Sequence, residues 1–204
     1  MSHTAVRVWR QRQLLGLLAC IFLAPLALSF YLYYGGVGWR PDRTVNHGEL
    51  ITPARPLPEV SLPTADGRES SVELLRGKWT LIYLGDGACD GPCRRALYVM
   101  RQVRIALNQH MGRVQRVFLY QGDCCDEPFF STEHHGLISL DLDSDGGREL
   151  AEHFRFEEGR PVESGRLWLA DPLGNLMMSY PANADPKGMI EDLKRLLRLS
   201  HVER

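Results

Sequence analysis

The sequence predicts a three-layer α/β/α domain carried behind a single transmembrane helix. Three observations predict it: an uncharged apolar run near the N-terminus, apolar runs of strand length alternating with amphipathic helical patterns, and a strand–turn–strand–helix ending. The boundaries read from these are a cytoplasmic N-terminus over 1–12, an anchor over 13–36, an extended linker over 37–57 and the domain over 58–204.

The anchor comes first. From Gln13 to Trp39 no residue is charged. At about 1.5 Å per residue, Leu14 to Tyr34 makes a helix of about 31 Å, which matches the hydrocarbon thickness of a bilayer. Arg7, Arg10 and Arg12 precede the run, placing the N-terminus in the cytoplasm, and Tyr31, Tyr33, Tyr34 and Trp39 gather at the far end. Pro25 is tolerated in a membrane span. The alternative is a cleaved signal, opposed by the length of the run and by bulky aromatics where small residues should mark the cut. In either case the domain lies beyond the membrane, and the expected setting is a bacterial inner membrane with the domain in the periplasm. Cys20 reads as a small apolar residue of the span.

Residues Arg40 to Pro58 are rich in proline and show no helical or strand period, hence the linker. In PEVSLPTADGRESSVELLRGKWTLIYLG, a strand, a turn at Asp66-Gly67 and a second short strand precede a buried strand from Trp79 to Leu84. A helix follows, with Ala96, Met100, Val103, Leu107 and Met111 on one stripe and Arg94, Arg95, Arg101 and Arg104 on a solvated face. Val114 to Tyr120 is a second buried strand, Leu137 to Asp141 a short one, and Gly147 to Phe154 a short helix. RLWLAD and LMMSY form a hairpin around Leu173-Gly174-Asn175. Asp185-Pro186 starts a closing helix to about Leu199, with Ile190, Leu193, Leu196 and Leu197 inward. A parallel β-α-β centre finished by a hairpin and a helix is the thioredoxin-like plan.

Composition agrees with one such domain. The chain has 204 residues, 44% hydrophobic and 24% charged, which are ordinary globular values. Its formal net charge of −1 gives no overall attraction to nucleic acid. The cysteines, at 20, 89, 93, 124 and 125, do not form a dense disulfide scaffold.

Cys89 and Cys93 lie in GDGACDGPC, where a buried strand gives way to a helix. With the helix starting at Cys89, the two share one face and their sulfurs can meet. The helix N-terminus favours a thiolate, the form that both exchanges disulfides and binds metal. Two sulfurs make a soft site that prefers Cu(I). The plain alternative is a pair of small core residues or a structural disulfide.

On these residues the chain resembles the Sco family of membrane-anchored copper-handling factors for cytochrome c oxidase assembly. CDGPC after WTLIYLG carries the resemblance, together with LWLADPLGNLMMSYP before a terminal helix. It implies a thioredoxin-like fold, copper held by Cys89, Cys93 and a histidine, or thiol reduction of the oxidase copper site. The implied partner is a cytochrome c oxidase subunit or assembly factor. The chain departs from the family where a histidine is expected shortly before the LWLADP strand: PVESGRLWLADP has Glu163 there. A carboxylate is a harder donor than imidazole. A proline after the second cysteine and an acidic signature after the second core strand are also missing. The redox half of the family's role, a thiol–disulfide oxidoreductase, therefore transfers better than the copper half.

Cys124-Cys125, flanked by Asp123 and Asp126, follow the second core strand, with His134 and His135 further on. They are candidates for the missing ligation, against an exposed loop with one cysteine bonded elsewhere; the acidic neighbours oppose a nucleophile there. Asp141, Asp143, Asp145 and Glu152 satisfy the bare calcium-loop formula, but a strand precedes them, and an Asp-rich helix start is the plainer account. Two further functions stay open: a non-catalytic scaffold docking through the basic helix face, and a thiol peroxidase.

Overall fold

The computed structural model describes residues 3–34, 45–65, 67–125, 128–155 and 159–200. The chain divides into two compact units, Met1–Val45 and Asn46–Arg204.

In the first unit, α1 (His3–Tyr34) holds one stretch long and apolar enough to cross a membrane, Arg12–Leu32, with mean hydropathy 2.2 and none of it buried. A helix apolar on all sides lacks the polar face of a surface helix in a soluble domain. The expected end of the anchor at 36, and Trp39, lie outside the described residues.

The second unit runs β1 (Glu49–Pro56), β2 (Ser61–Pro63), β3 (Glu69–Ser71), β4 (Trp79–Asp86), α2 (Gly91–Ala106), β5 (Val114–Gln121), β6 (Leu137–Asp141), α3 (Asp145–Glu152), β7 (Leu167–Ala170), β8 (Asn175–Tyr180) and α4 (Pro186–Leu199). The main sheet has the order β1-β8-β7-β4-β5-β6, and β2 and β3 form a separate hairpin. β4 pairs in parallel with β5, and β5 with β6; the other pairs are antiparallel. Asp66 of the expected hairpin turn lies outside the described residues.

β1 corrects the linker expectation, because the sheet begins inside the segment read as connector. Pro53 and Pro56 suggested a connector, but β1 is an edge strand, where a missing N–H is tolerated, and Pro53 falls where the register shifts between Leu50 and Arg55. Its start is fixed to the last helix. The buried Asp192 carboxylate on α4 accepts N–H bonds from His47 (3.0 Å) and Gly48 (2.9 Å) and the hydroxyl of Tyr180 (3.2 Å). A side chain at Gly48 would meet Met178 Sδ and Tyr180 Cε1 at 2.6 Å, so the backbone enters there only as glycine.

Alternation along the strands separates two cores. Leu81, Tyr83, Phe118, Tyr120, Leu167 and Leu169 face α2 and α4. Ile82, Leu84, Val117, Leu119 and Trp168 face the other way, onto Leu62, Val72, Leu150 and Phe154. The Phe154 and Trp168 rings meet edge-on at 5.5 Å. On α2 the buried stripe is Cys93, Leu97, Met100 and Val103. Ala96 is only half-buried, and Met111 is exposed because α2 stops at Ala106 and the chain tightens into a 3₁₀ turn over Asn108–Arg113. Truncating Leu97 to alanine would cost about 2–5 kcal/mol.

Candidate redox site

The site is built at the C-terminal end of β4. The Asp86 carboxylate accepts the Ala88 N–H (2.8 Å) and its carbonyl accepts the Cys89 N–H (3.0 Å), which folds the chain over. Cys89 takes a left-handed conformation, φ +47, a region that costs a non-glycine residue on the order of 1–3 kcal/mol. Asp90 then caps α2, accepting the Cys93 N–H at 3.2 Å, with Pro92 in the first turn. Cys89 and Cys93 are joined in a disulfide with Cα atoms 5.0 Å apart, and each residue is 2% exposed. The expected helix start at Cys89 is corrected: Asp90 is the stronger cap, so only Cys93 is helical, and Cys89 reaches it from the loop.

Arg94 and Phe129 belong to this site and were not anticipated. Arg94 Nε donates to the Cys89 carbonyl (3.1 Å), and its guanidinium lies 4.3 Å from the Phe129 ring centroid. The position of Arg94 right after Cys93 was a usable signal; Phe129 sits in a segment without periodicity and gave none. The charges oppose one another, since the helix start and Arg94 favour a thiolate while the Asp90 carboxylate disfavours one. Burial, and then Asp90, push the Tyr83 phenol up. The basic face of α2 is partly committed rather than freely solvated: Arg101 Nη1 donates to the Glu133 carbonyl and Arg104 Nε to the Val114 carbonyl (2.7 Å).

The candidate third ligands stand in different settings. His134 is 2% exposed, its ring 4.6 Å from that of Phe129, and its Nδ1 has no hydrogen-bond partner among the described residues. Burial, then Arg116 and Arg101, lower its pKa to about 4 against the opposing pull of Glu133. His135 is exposed, and its carbonyl accepts from Arg116 Nη2 (2.7 Å). Glu163 is exposed on a 3₁₀ turn (Pro161–Glu163) and paired with Arg160 at 3.0 Å. Arg160 also donates to Gln121 Oε1 (3.0 Å), and the Gln121 carbonyl accepts the Gly87 N–H (2.8 Å), so this turn is linked to the thiol loop. Among the described residues no three His, Cys, Asp or Glu side chains converge to hold a metal ion. The soft donors at this site that fit Cu(I) are the two sulfurs of the reduced pair.

Cys124 and Cys125 are joined to each other, not to another loop. The acidic run after β6 turns on itself: Asp141 accepts the Asp143 N–H (2.8 Å), Asp143 the Gly122 N–H (2.8 Å), and Ser144 caps α3 through the Gly147 N–H (3.0 Å). This is the plainer, helix-start arrangement.

With this geometry, the chain is similar in fold to solved Sco structures. Yeast Sco1 with copper bound matches at TM-score 0.60 and 20% identity, over 71% of this chain and 93% of that one. Apo Sco1 from Thermus thermophilus matches at 0.59 and 17%, over 77% and 99%. BsSco, described with a disulfide switch and as a member of the Sco family of cytochrome c oxidase assembly proteins, matches at 0.54 and 16%, over 72% and 96%. No curated protein matches the sequence significantly. Residues 79–200 match the family described as transmembrane-like, thioredoxin-like, C-terminal domain. The thiol loop, β4 through β8 and the closing helix all fall inside that match, and the chain belongs to this thioredoxin-like family.

Proposed function

We propose that the chain is a membrane-anchored, Sco-like thiol–disulfide factor for cytochrome c oxidase assembly, with Cys89 and Cys93 as the reacting pair. The observation that carries this reading is the Cys89–Cys93 bond where a buried strand meets a capped helix, in a fold similar to that of the Sco proteins. In the reduced state Cys89, outside the helix and beside Arg94, attacks a disulfide of the partner. A Cys89–partner bond forms as the partner's own bond breaks, and its second sulfur leaves as a thiolate that takes up a proton. Cys93, losing its proton, then attacks Cys89 and releases the partner's first sulfur, which takes up the proton that Cys89 gave up on attacking; the pair is oxidised and the partner reduced. A cleft of about 700 Å³ lined by Tyr83, Pro92, Ala96, Leu167, Ala184 and Met189 borders the residues between the cysteines and offers an apolar seat for the partner's segment. Copper enters this reading as cargo held by the two thiolates of the reduced pair.

The anchor and the arginines before it support placement in a bacterial inner membrane, N-terminus cytoplasmic and domain periplasmic, a compartment that permits disulfides. A purely docking role through Arg101 and Arg104 is less favoured, because both guanidinium groups bond backbone carbonyls of their own domain. The test is oxidase activity and copper content in cells carrying Cys89→Ser or Cys93→Ser: both are expected to be lost, and normal oxidase in both variants would sink the proposal.

A further inference from the structure

The two disulfides are neighbours. A Cβ built on Gly87 would lie 2.5 Å from the Asp123 carbonyl oxygen and 3.0 Å from Cys124 Cβ, so the backbone two residues before Cys89 rests directly on the Cys124 loop. The Gly87 N–H bond to the Gln121 carbonyl (2.8 Å) holds the two loops in that contact. Cys89, Cys93 and Phe129 are buried in one cluster, and Cys124 and Cys125 pack against it from its edge. Exposure differs between the pairs: Cys89 and Cys93 are each 2% exposed, whereas Cys124 and Cys125 are only partly buried. The pair a partner reaches more readily is therefore the outer one.

We infer that Cys124–Cys125 is a second redox centre that exchanges its disulfide with Cys89–Cys93, the outer pair linking the buried pair to protein dithiols in the surroundings. This rests on the thiol–disulfide reading of Cys89 and Cys93. When the inner pair is reduced and the outer pair oxidised, the Cys89 thiol loses its proton and, as a thiolate, attacks Cys124 Sγ. The Cys124–Cys125 bond breaks, and Cys125 leaves as a thiolate and takes up a proton. Cys93 loses its proton and attacks Cys89 Sγ, closing the Cys89–Cys93 bond and releasing Cys124, which takes up a proton. Two electrons pass from the inner pair to the outer, the protons lost equal those gained, and no outside oxidant is consumed. Run in reverse, a protein dithiol that reduces Cys124–Cys125 recharges the inner pair by the same two steps.

The test uses the full chain in detergent micelles with Cys20→Ala, oxidised with glutathione disulfide. In Cys93→Ser/Cys125→Ser, Cys89 and Cys124 are expected to form an intramolecular bond in most molecules, seen as loss of two hydrogens in the intact mass and as a joined 89–124 peptide. Cys93→Ser/Cys124→Ser asks the same of Cys125, and a Cys89–Cys125 link also supports exchange. Separate glutathione adducts on both cysteines in both variants would overturn the inference. Cycling of Cys89–Cys93 with dithiothreitol is followed in the chain with all four domain cysteines: its absence counts against the proposed function, whereas cycling without either cross-link counts against the exchange alone.

Discussion

The thiol loop and the turn that carries Glu163 are tied to the same glutamine, yet they are built differently. In the loop, Asp86, Asp90 and Arg94 each bond a neighbouring backbone group, and the two sulfurs are buried. In the turn, Glu163 is exposed and pairs with the equally exposed Arg160, an arrangement worth about 0–1 kcal/mol. The soft-donor end of the site is fixed by the fold, while the position at which the Sco resemblance expects a third ligand is held by surface charge. Similarity of fold is thus compatible with different side chains at corresponding positions.

The largest effect that could break this contrast is loss of the pair. Cys89→Ser should abolish dithiol cycling, measured by thiol alkylation and mass, and lower unfolding stability by about 2 kcal/mol through loss of a short cross-linked loop. An unchanged urea midpoint would mean that the loop is held without its bond.

His134 gives the largest effect of pH. Its pKa in the fold is about 4, against about 6.5 for an unperturbed histidine. Between those values the unfolded chain binds a proton that the folded chain refuses, so stability should fall as pH drops from about 6.5 to about 4, by on the order of 3 kcal/mol, and then level off for this group. Urea titrations across that range should show the slope, and His134→Leu should flatten it.

Gly87→Ala addresses the contact between the two cysteine loops. Its methyl would sit 2.5 Å from the Asp123 carbonyl, so a loss of about 1–3 kcal/mol is expected in thermal or urea unfolding. Wild-type stability in this variant would show that the loops part easily.

Glu163→His sharpens the comparison from the other side. An imidazole on the turn linked through Gln121 to the thiol loop should raise the Cu(I) affinity of the reduced chain about tenfold, or about 1.4 kcal/mol, in competition with a chelating indicator. No gain would place the turn out of reach of the sulfurs.

Asp90→Asn is the smallest change. It keeps the cap but removes a carboxylate between the two cysteines, so alkylation of the reduced pair should run slightly faster at neutral pH.

Most of the fold was legible because the two core strands and three amphipathic helices carry clean periodicity, and the Asp185-Pro186 start of α4 is realised with Asp185 capping. β1 was not legible: its signal is pairing with a distant strand, and its prolines mimic a connector. At the site, the cysteine pair was legible from its position between strand and helix. Its helix start was misplaced by two residues, because Cys89 rather than a glycine occupies the left-handed position. His134 was weighed as a ligand, and nothing local in the sequence reveals that Phe129 covers its ring.

The bolt at Asp192 has a consequence for biosynthesis. The carboxylate that holds His47 and Gly48 is on the last helix, and β1 pairs with β8, so the first strand of the domain has no partner until β8 has been made and no hold on its start until the final helix follows. During synthesis the segment next to the anchor must wait, unpaired, while the rest of the domain emerges from the ribosome. A chain cut short before Asp192 would lose much of its C-terminal helix and also the hold on the start of its opening strand, so incomplete products would carry a loose end where quality-control proteases can begin.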